Sequence, residues 1–380
     1  MKKSLIALAA LAAIAGSAQA QSTVTLYGML DVGLGNFTTN GTADATGALK
    51  SLSQVKLDSA ALNGNRWGLR GSEDLGGGLS AIFNLESGFS IDSGASGQGG
   101  LLFGRRANVG FASGFGKVEL GRNSSSYDDV SADHAMMGQS WFDPSNVNNG
   151  NAPSTVTTLA AAATPAAFGA AAAPFLNRTT TWVGYNTRFN NSIKYTSANF
   201  SGFTGSVMYA FGEDKTAAVG ASKTISANAK YANGPLLVSL GYQSEAGART
   251  ATTEPALVNK LLSVSYDLGA AKIGFGANRA KYAGMGFDVA GQNEYNLSVA
   301  VPMGATTLSA GYAVSNGDDL GKSTGFGVQA LYALSKRTTL YVGAVSTSTY
   351  DNLADEVRAV APTSDIQRNT TYAAGVRHSF

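Results

Sequence analysis

Residues 201–211 read SGFTGSVMYAF, with Phe203, Gly205, Val207, Tyr209 and Phe211 on one side of an extended chain and Thr204, Ser206, Met208 and Ala210 on the other. The same two-residue period recurs in VTLYGMLDVGL (24–34), KIGFGANRAKY (272–282), EYNLSVAV (294–301), TTLSAGYAV (306–314), GFGVQALYAL (325–334) and TTLYVGAVSTS (338–348). One face is apolar throughout, and the other holds Gly, Ser, Thr, Asn or a charge. These segments reach about 10 residues, enough to cross a bilayer at a tilt, whereas strands of soluble sandwiches run nearer 5 or 6.

The pattern predicts strands over 22–35, 65–73, 79–90, 101–112, 115–122, 188–198, 202–212, 222–232, 235–245, 258–268, 271–282, 294–302, 305–315, 323–334, 337–349 and 370–380. Tight turns such as EDLGGG (73–78), ASGFGK (112–117), VPMGAT (301–306) and LSKR (334–337) alternate with longer hydrophilic connections, the asymmetry of a membrane barrel. The expected fold is therefore all-β, a 16-stranded antiparallel transmembrane β-barrel, wide enough to leave an aqueous channel. It must close, because each unpaired amide at an open edge in hydrocarbon costs several kcal/mol.

Residues 1–20, MKKSLIALAALAAIAGSAQA, have Lys2 and Lys3, an apolar run and an A-x-A site, the form of an export signal cleaved after Ala20, which leaves 21–380 as one barrel domain. Without Lys2 and Lys3 the 27 basic residues become 25, matching the 25 acidic ones, so bulk charge indicates no nucleic-acid partner. There is no cysteine, which excludes disulfides and thiolate metal sites. The longest later apolar stretch, 159–175, is interrupted by Pro165 and Pro174, which argues against a membrane helix. The 47 glycines and 8 prolines suit twisted strands and tight turns.

Alternation also assigns charges to faces. With Trp67 and Leu69 outward, Arg66 and Arg70 point to the lumen; likewise Arg106 in FGRRANVGF, and Arg188 and Lys194 in RFNNSIKY. The opposite assignment would push these cations into lipid at about 2–4 kcal/mol each near the midplane. Arg105 and Arg122 have the other parity and are expected near strand ends. A basic ladder on the wall would concentrate anions; the bland alternative is that these cations only pair with neighbouring acids.

NRWGLRG (65–71), EDLGGGLSAIFNLE (73–86), FGRRANVGFASGFGKVELGR (103–122), RFNNSIKYTSANFSGFTGSVMYAF (188–211), LSKRTTLYVG (334–343) and the terminal GVRHSF resemble the general diffusion porins of Gram-negative outer membranes, especially the β-proteobacterial group. The resemblance runs from Val24 to Phe380. It implies a homotrimer in the outer membrane, in contact with lipid and lipopolysaccharide, each barrel narrowed by a long inward-folded third loop. It further implies constriction arginines at Arg66, at one of Arg105 and Arg106, and at Arg188; parity favours Arg106. Asp128, Asp129 and Asp133, in the loop after LGR, are the candidate acids facing this ladder. Terminal Phe380, with Tyr372, Ala374 and Val376 on its face, is implied to be read by the outer-membrane assembly machinery.

The expected function is a non-enzymatic, water-filled channel for small hydrophilic solutes with mild preference for anions, without cofactor or metal. The alternatives are a channel selective for one solute class and, from another class, an outer-membrane barrel hydrolase. The latter is disfavoured because only His134 and His378 exist. NGDDLGKST (316–324) imitates a phosphate loop, but Asn316 stands where the pattern needs Gly.

Overall fold

A computed structural model of the chain describes residues 23–145, 181–182, 184–251, 254, 256–283, 291–317, 321–348, 350–352 and 368–380. Residues 1–20, expected from the sequence to be an export signal, and the Ala-rich stretch 159–175 lie outside the described residues. The strands are β1 (Thr23–Ala43), β2 (Leu49–Ser59), β3 (Arg66–Gly76), β4 (Leu79–Gly88), β5 (Arg106–Ser113), β6 (Gly116–Ser124), β7 (Arg188–Ser197), β8 (Phe203–Phe211) and β9 (Lys223–Asn233). They continue with β10 (Leu236–Ala246), β11 (Ala256–Asp267), β12 (Lys272–Ala283), β13 (Gln292–Met303), β14 (Thr306–Gly317), β15 (Gly321–Ala333), β16 (Thr338–Ser348) and β17 (Arg368–Ser379).

Neighbours pair antiparallel around the sheet, and β17 returns to β1 with Met29 opposite Ser379 and Phe37 opposite Thr371. The barrel is closed. On its other edge β1 pairs with β3 along 23–29 and with β2 along 32–43, so β2 and β3 share one strand position and the ring has the sixteen positions expected. Strand β2 itself was not predicted, because Leu49, Leu52, Val55 and Leu57 fall on both faces and erase the two-residue period. Residues 60–65, between the two pieces, turn inward.

The face assignment follows the alternation. Phe203, Val207, Tyr209 and Phe211 are exposed on the outside, whereas Ser206, Met208 and Ala210 are buried inside. Aromatics gather at two levels: Phe115, Phe203, Tyr266, Tyr332 and Phe380 near the short turns, and Phe211, Tyr242, Tyr295, Tyr312 and Phe326 toward the opposite rim. Such belts mark the two membrane–water interfaces. The short turns use glycine in the left-handed region, for example Gly234 (φ +57°) between β9 and β10 and Gly304 (φ +62°) between β13 and β14.

The third long connection, after β6, folds into the lumen. Its course is fixed by bonds to the far wall: Tyr127 N–H donates to Ser226 Oγ (2.8 Å), Met136 N–H to Ser298 Oγ (3.0 Å) and Ser140 Oγ–H to Gln329 Oε1 (2.7 Å). The loop lies so close to the sheet that several wall positions admit no Cβ. One added at Gly327 would stand 1.8 Å from the Phe142 carbonyl oxygen, one at Gly274 2.0 Å from that of His134, and one at Gly343 2.4 Å from the Phe142 ring. Many lumen glycines therefore serve close approach by this loop rather than turns, a role the composition alone does not reveal.

Candidate functional site

Opposite the docked loop a cleft of about 380 Å³ is lined by the inward segment Ala60, Leu62, Asn63 and Gly64, by Arg66, Arg105 and Arg188, by Gln98, and by Asp128, Gly138, Gln139 and Trp141 of the third loop. Arg66 opens β3 and Arg188 opens β7, while Arg105 stands one residue before β5. Three guanidinium groups thus converge from separate wall positions at the level where the strands begin. A fourth, Arg106, is close enough to act on Arg66 and Arg188 and donates to Ser124 Oγ (3.2 Å).

One carboxylate of the wall answers them. Glu86 on β4 takes Arg105 Nε at 2.6 Å on Oε1; its Oε2 accepts from the Tyr27 hydroxyl (2.9 Å) and lies 3.9 Å from Arg66 Nε. Sequence reasoning missed this acid, although parity with Ser80 and Asn84 would have turned it inward. On the loop side Asp128 accepts from the Tyr185 hydroxyl (2.8 Å), and enclosure pushes its carboxyl above the usual value against the pull of Arg188 and Tyr185. Among the described residues, the three arginines lining the cleft, with Arg106 near them, outnumber the carboxylates Asp128 and Glu86 and give the site an excess of positive charge.

The remaining predicted residues separate. Arg105, which parity kept out, lines the cleft beside Arg66 and Arg188; it precedes the first regular residue of β5, so strand alternation does not govern it. Arg70 sits farther along β3 over the Tyr27 ring (5.2 Å). Arg122 is not in the cleft: a register shift between Gly121 and Asn123 interrupts β6, and its side chain donates to the Gly104 carbonyl (2.7 Å) and Asn190 Oδ1 (2.6 Å). Two acids are likewise reassigned. Asp129 pairs with Lys194 (2.5 Å) and Asp133 with Lys230 (2.8 Å), so they tie the loop to β7 and β9 instead of facing the arginines. Phe380 exchanges backbone bonds with Gly28 (3.1 Å each way) and completes the seam.

A closed barrel with aromatic belts, a polar interior and a charged constriction defines a channel of the outer-membrane type. A description of the Gram-negative porins matches residues 7–352, and the chain belongs to that family. It is similar to an outer membrane porin protein of Bordetella pertussis (30% identity over 433 residues, 100% of both chains). It is also similar to outer membrane porin protein 32 of Delftia acidovorans (32% identity over 390 residues, 99% of this chain and 95% of that one). Among solved structures it resembles the anion-selective porin from Comamonas acidovorans (25% identity, TM-score 0.70, covering 95% of this chain and 100% of that one). The trimer form of OmpT from Vibrio cholerae shares the fold (14% identity, TM-score 0.59, 94% of this chain and 99% of that one). The chain is accordingly a diffusion channel of the Gram-negative outer membrane, not an enzyme.

Proposed function

We propose that this porin passes small hydrophilic solutes with a mild preference for anions, set by Arg66, Arg105 and Arg188 with Arg106 behind them. The observation that carries the proposal is the excess of guanidinium over carboxylate in the cleft, where low-dielectric walls focus the field. Asp128, across the cleft, gives that field a transverse component. The name of the Comamonas acidovorans relative, anion-selective, agrees with it. By the same family analogy the protomer assembles as a homotrimer, as the solved form of OmpT does. Residues 1–20 would be removed on export, and the C-terminal strand ending at Phe380 would serve recognition by the assembly machinery.

The test is the reversal potential across a planar bilayer under a salt gradient. Replacing Arg66, Arg105 and Arg188 together by Ser should move it toward cation preference. The effect should be strongest at low salt, because the Debye length shortens from about 30 Å at 0.01 M to about 3 Å at 1 M. An unchanged potential at low salt would assign selectivity to the external loops.

A further inference from the structure

The segment 60–65 is the wall-side lip of the cleft, and one residue organises it. Asp31, on β1, is fully buried. Its Oδ2 accepts from the backbone N–H groups of Leu62 and Asn63, both at 2.7 Å, and its Oδ1 accepts from the Tyr341 hydroxyl at 2.8 Å. Its carbonyl accepts from Ala60 N–H (2.9 Å) and from Asn65 Nδ2 (3.1 Å), while its own N–H donates to Asn65 Oδ1. Ala60 holds φ at +69°, a left-handed conformation that costs a non-glycine residue about 1 kcal/mol or more and persists because these bonds over-determine it.

Everything that shapes the cleft on this side rests on that lip. The Gly64 carbonyl accepts from Arg66 Nη1 (3.2 Å), and a Cβ at Gly64 would stand 2.9 Å from Arg105 Nη1, so both arginines are set against it. The third loop docks on the same segment, Trp141 N–H donating to the Ala61 carbonyl at 2.8 Å. Asn63 is held in addition by Arg377 on β17 through Nη1 (2.7 Å). Tyr341 reaches Asp31 only because it crosses two glycines: a Cβ at Gly375 or Gly33 would lie 2.3 or 2.7 Å from its hydroxyl.

We propose that Asp31 is a positioning residue for selectivity: it fixes the lip 60–65, through which Arg66, Arg105 and the third loop at Trp141 are held in one geometry. The inference builds on the anion preference proposed above. The ties from Asp31 through Tyr341 and from the lip through Arg377 also link the constriction to β16 and β17, so its lip is completed only when the barrel closes.

The sign of one measurement separates positioning from plain charge. Asp31→Ala removes a negative charge beside the pore, which by itself strengthens anion preference. It also removes both side-chain acceptor oxygens, which releases the lip and Tyr341 together. Positioning therefore predicts a shift of the reversal potential toward cation preference relative to the parent protein, with greater open-channel noise. Tyr341→Phe, which changes no charge, should shift both readings the same way by less, and it decides the matter if Asp31→Ala does not assemble. A shift toward stronger anion preference in Asp31→Ala overturns the proposal, as does an unchanged potential with a quiet open channel. A parent channel without anion preference would sink the functional proposal and not this one, since both readings are taken relative to the parent.

Discussion

Arg105 and Glu86 form the tightest charged contact of the constriction, Nε to Oε1 at 2.6 Å, with both side chains largely withdrawn from solvent. The carboxylate also takes Tyr27 and faces Arg66, so it moderates the cationic cluster as well as orienting it. Glu86→Gln should strengthen anion preference in bilayer recordings, because it removes the wall's counter-charge while keeping a hydrogen-bond acceptor. The lost charge-assisted bond should lower stability by about 1.5–3 kcal/mol, read as an earlier heat-induced shift of the folded band in detergent gels.

Gly327 is where the third loop presses hardest on the wall. Gly327→Ala places a methyl where the Phe142 carbonyl now stands, and neither backbone can give way cheaply. The loop around Trp141 and Phe142 should be pushed off the wall toward the cleft that Trp141 lines, lowering mean conductance and opening residues near Phe142 to protease, with strand content by circular dichroism unchanged. Normal conductance in this variant would show that the loop is not seated on β15.

His134 supplies a pH dependence. Its ring stacks on Trp182 (5.1 Å, 24° between planes), its Nδ1 lies 2.9 Å from Ser263 Oγ, and burial lowers its pKa from 6.5 to about 4. Between those values the undocked loop binds a proton that the docked loop refuses. Docking is therefore at full strength above about pH 6.5 and weakens as pH falls toward 4, by about 3 kcal/mol over the interval. Trp182 fluorescence should change across that window in the parent and stay flat in His134→Gln.

Leu297, exposed near the middle of β13, tests the outer face. Leu297→Arg should cost about 2–4 kcal/mol if it meets lipid near the midplane. The expected outcome is poor assembly, with the molecules that do assemble keeping the parent reversal potential. Equal yield would argue that this strand does not face hydrocarbon.

The barrel was legible because its physics repeats every two residues: outside positions such as Val207 and Leu297 must be apolar and inside positions such as Ser206 and Ser298 need not be. The constriction was legible only in part. Arg66 and Arg188 lie at strand starts where parity still holds, but Arg105 precedes its strand and escapes the rule. Asp129 and Asp133 could not be told from Asp128 in sequence, because which acid lines the cleft with Arg188 and which pairs with Lys194 or Lys230 depends on how the loop crosses the lumen. Asp31 gave no sign at all; a lone inward aspartate on a strand reads as one more wetted side chain. Its role comes from a six-residue break in the partner strand, which no periodicity announces.

The seam between β1 and β17 joins residues roughly 350 apart in sequence, as with Met29 and Ser379. Loop-closure entropy grows only logarithmically, by about 0.6 kcal/mol per doubling, so this distance weighs little on equilibrium stability. Its burden falls on kinetics, since pairings of such high contact order form slowly and two bare edges stay exposed until they meet. A folding trajectory for this chain is thus a race between self-closure and edge-to-edge association with other chains. Conditions that shield those edges should raise the yield of channels more than conditions that deepen the final energy well.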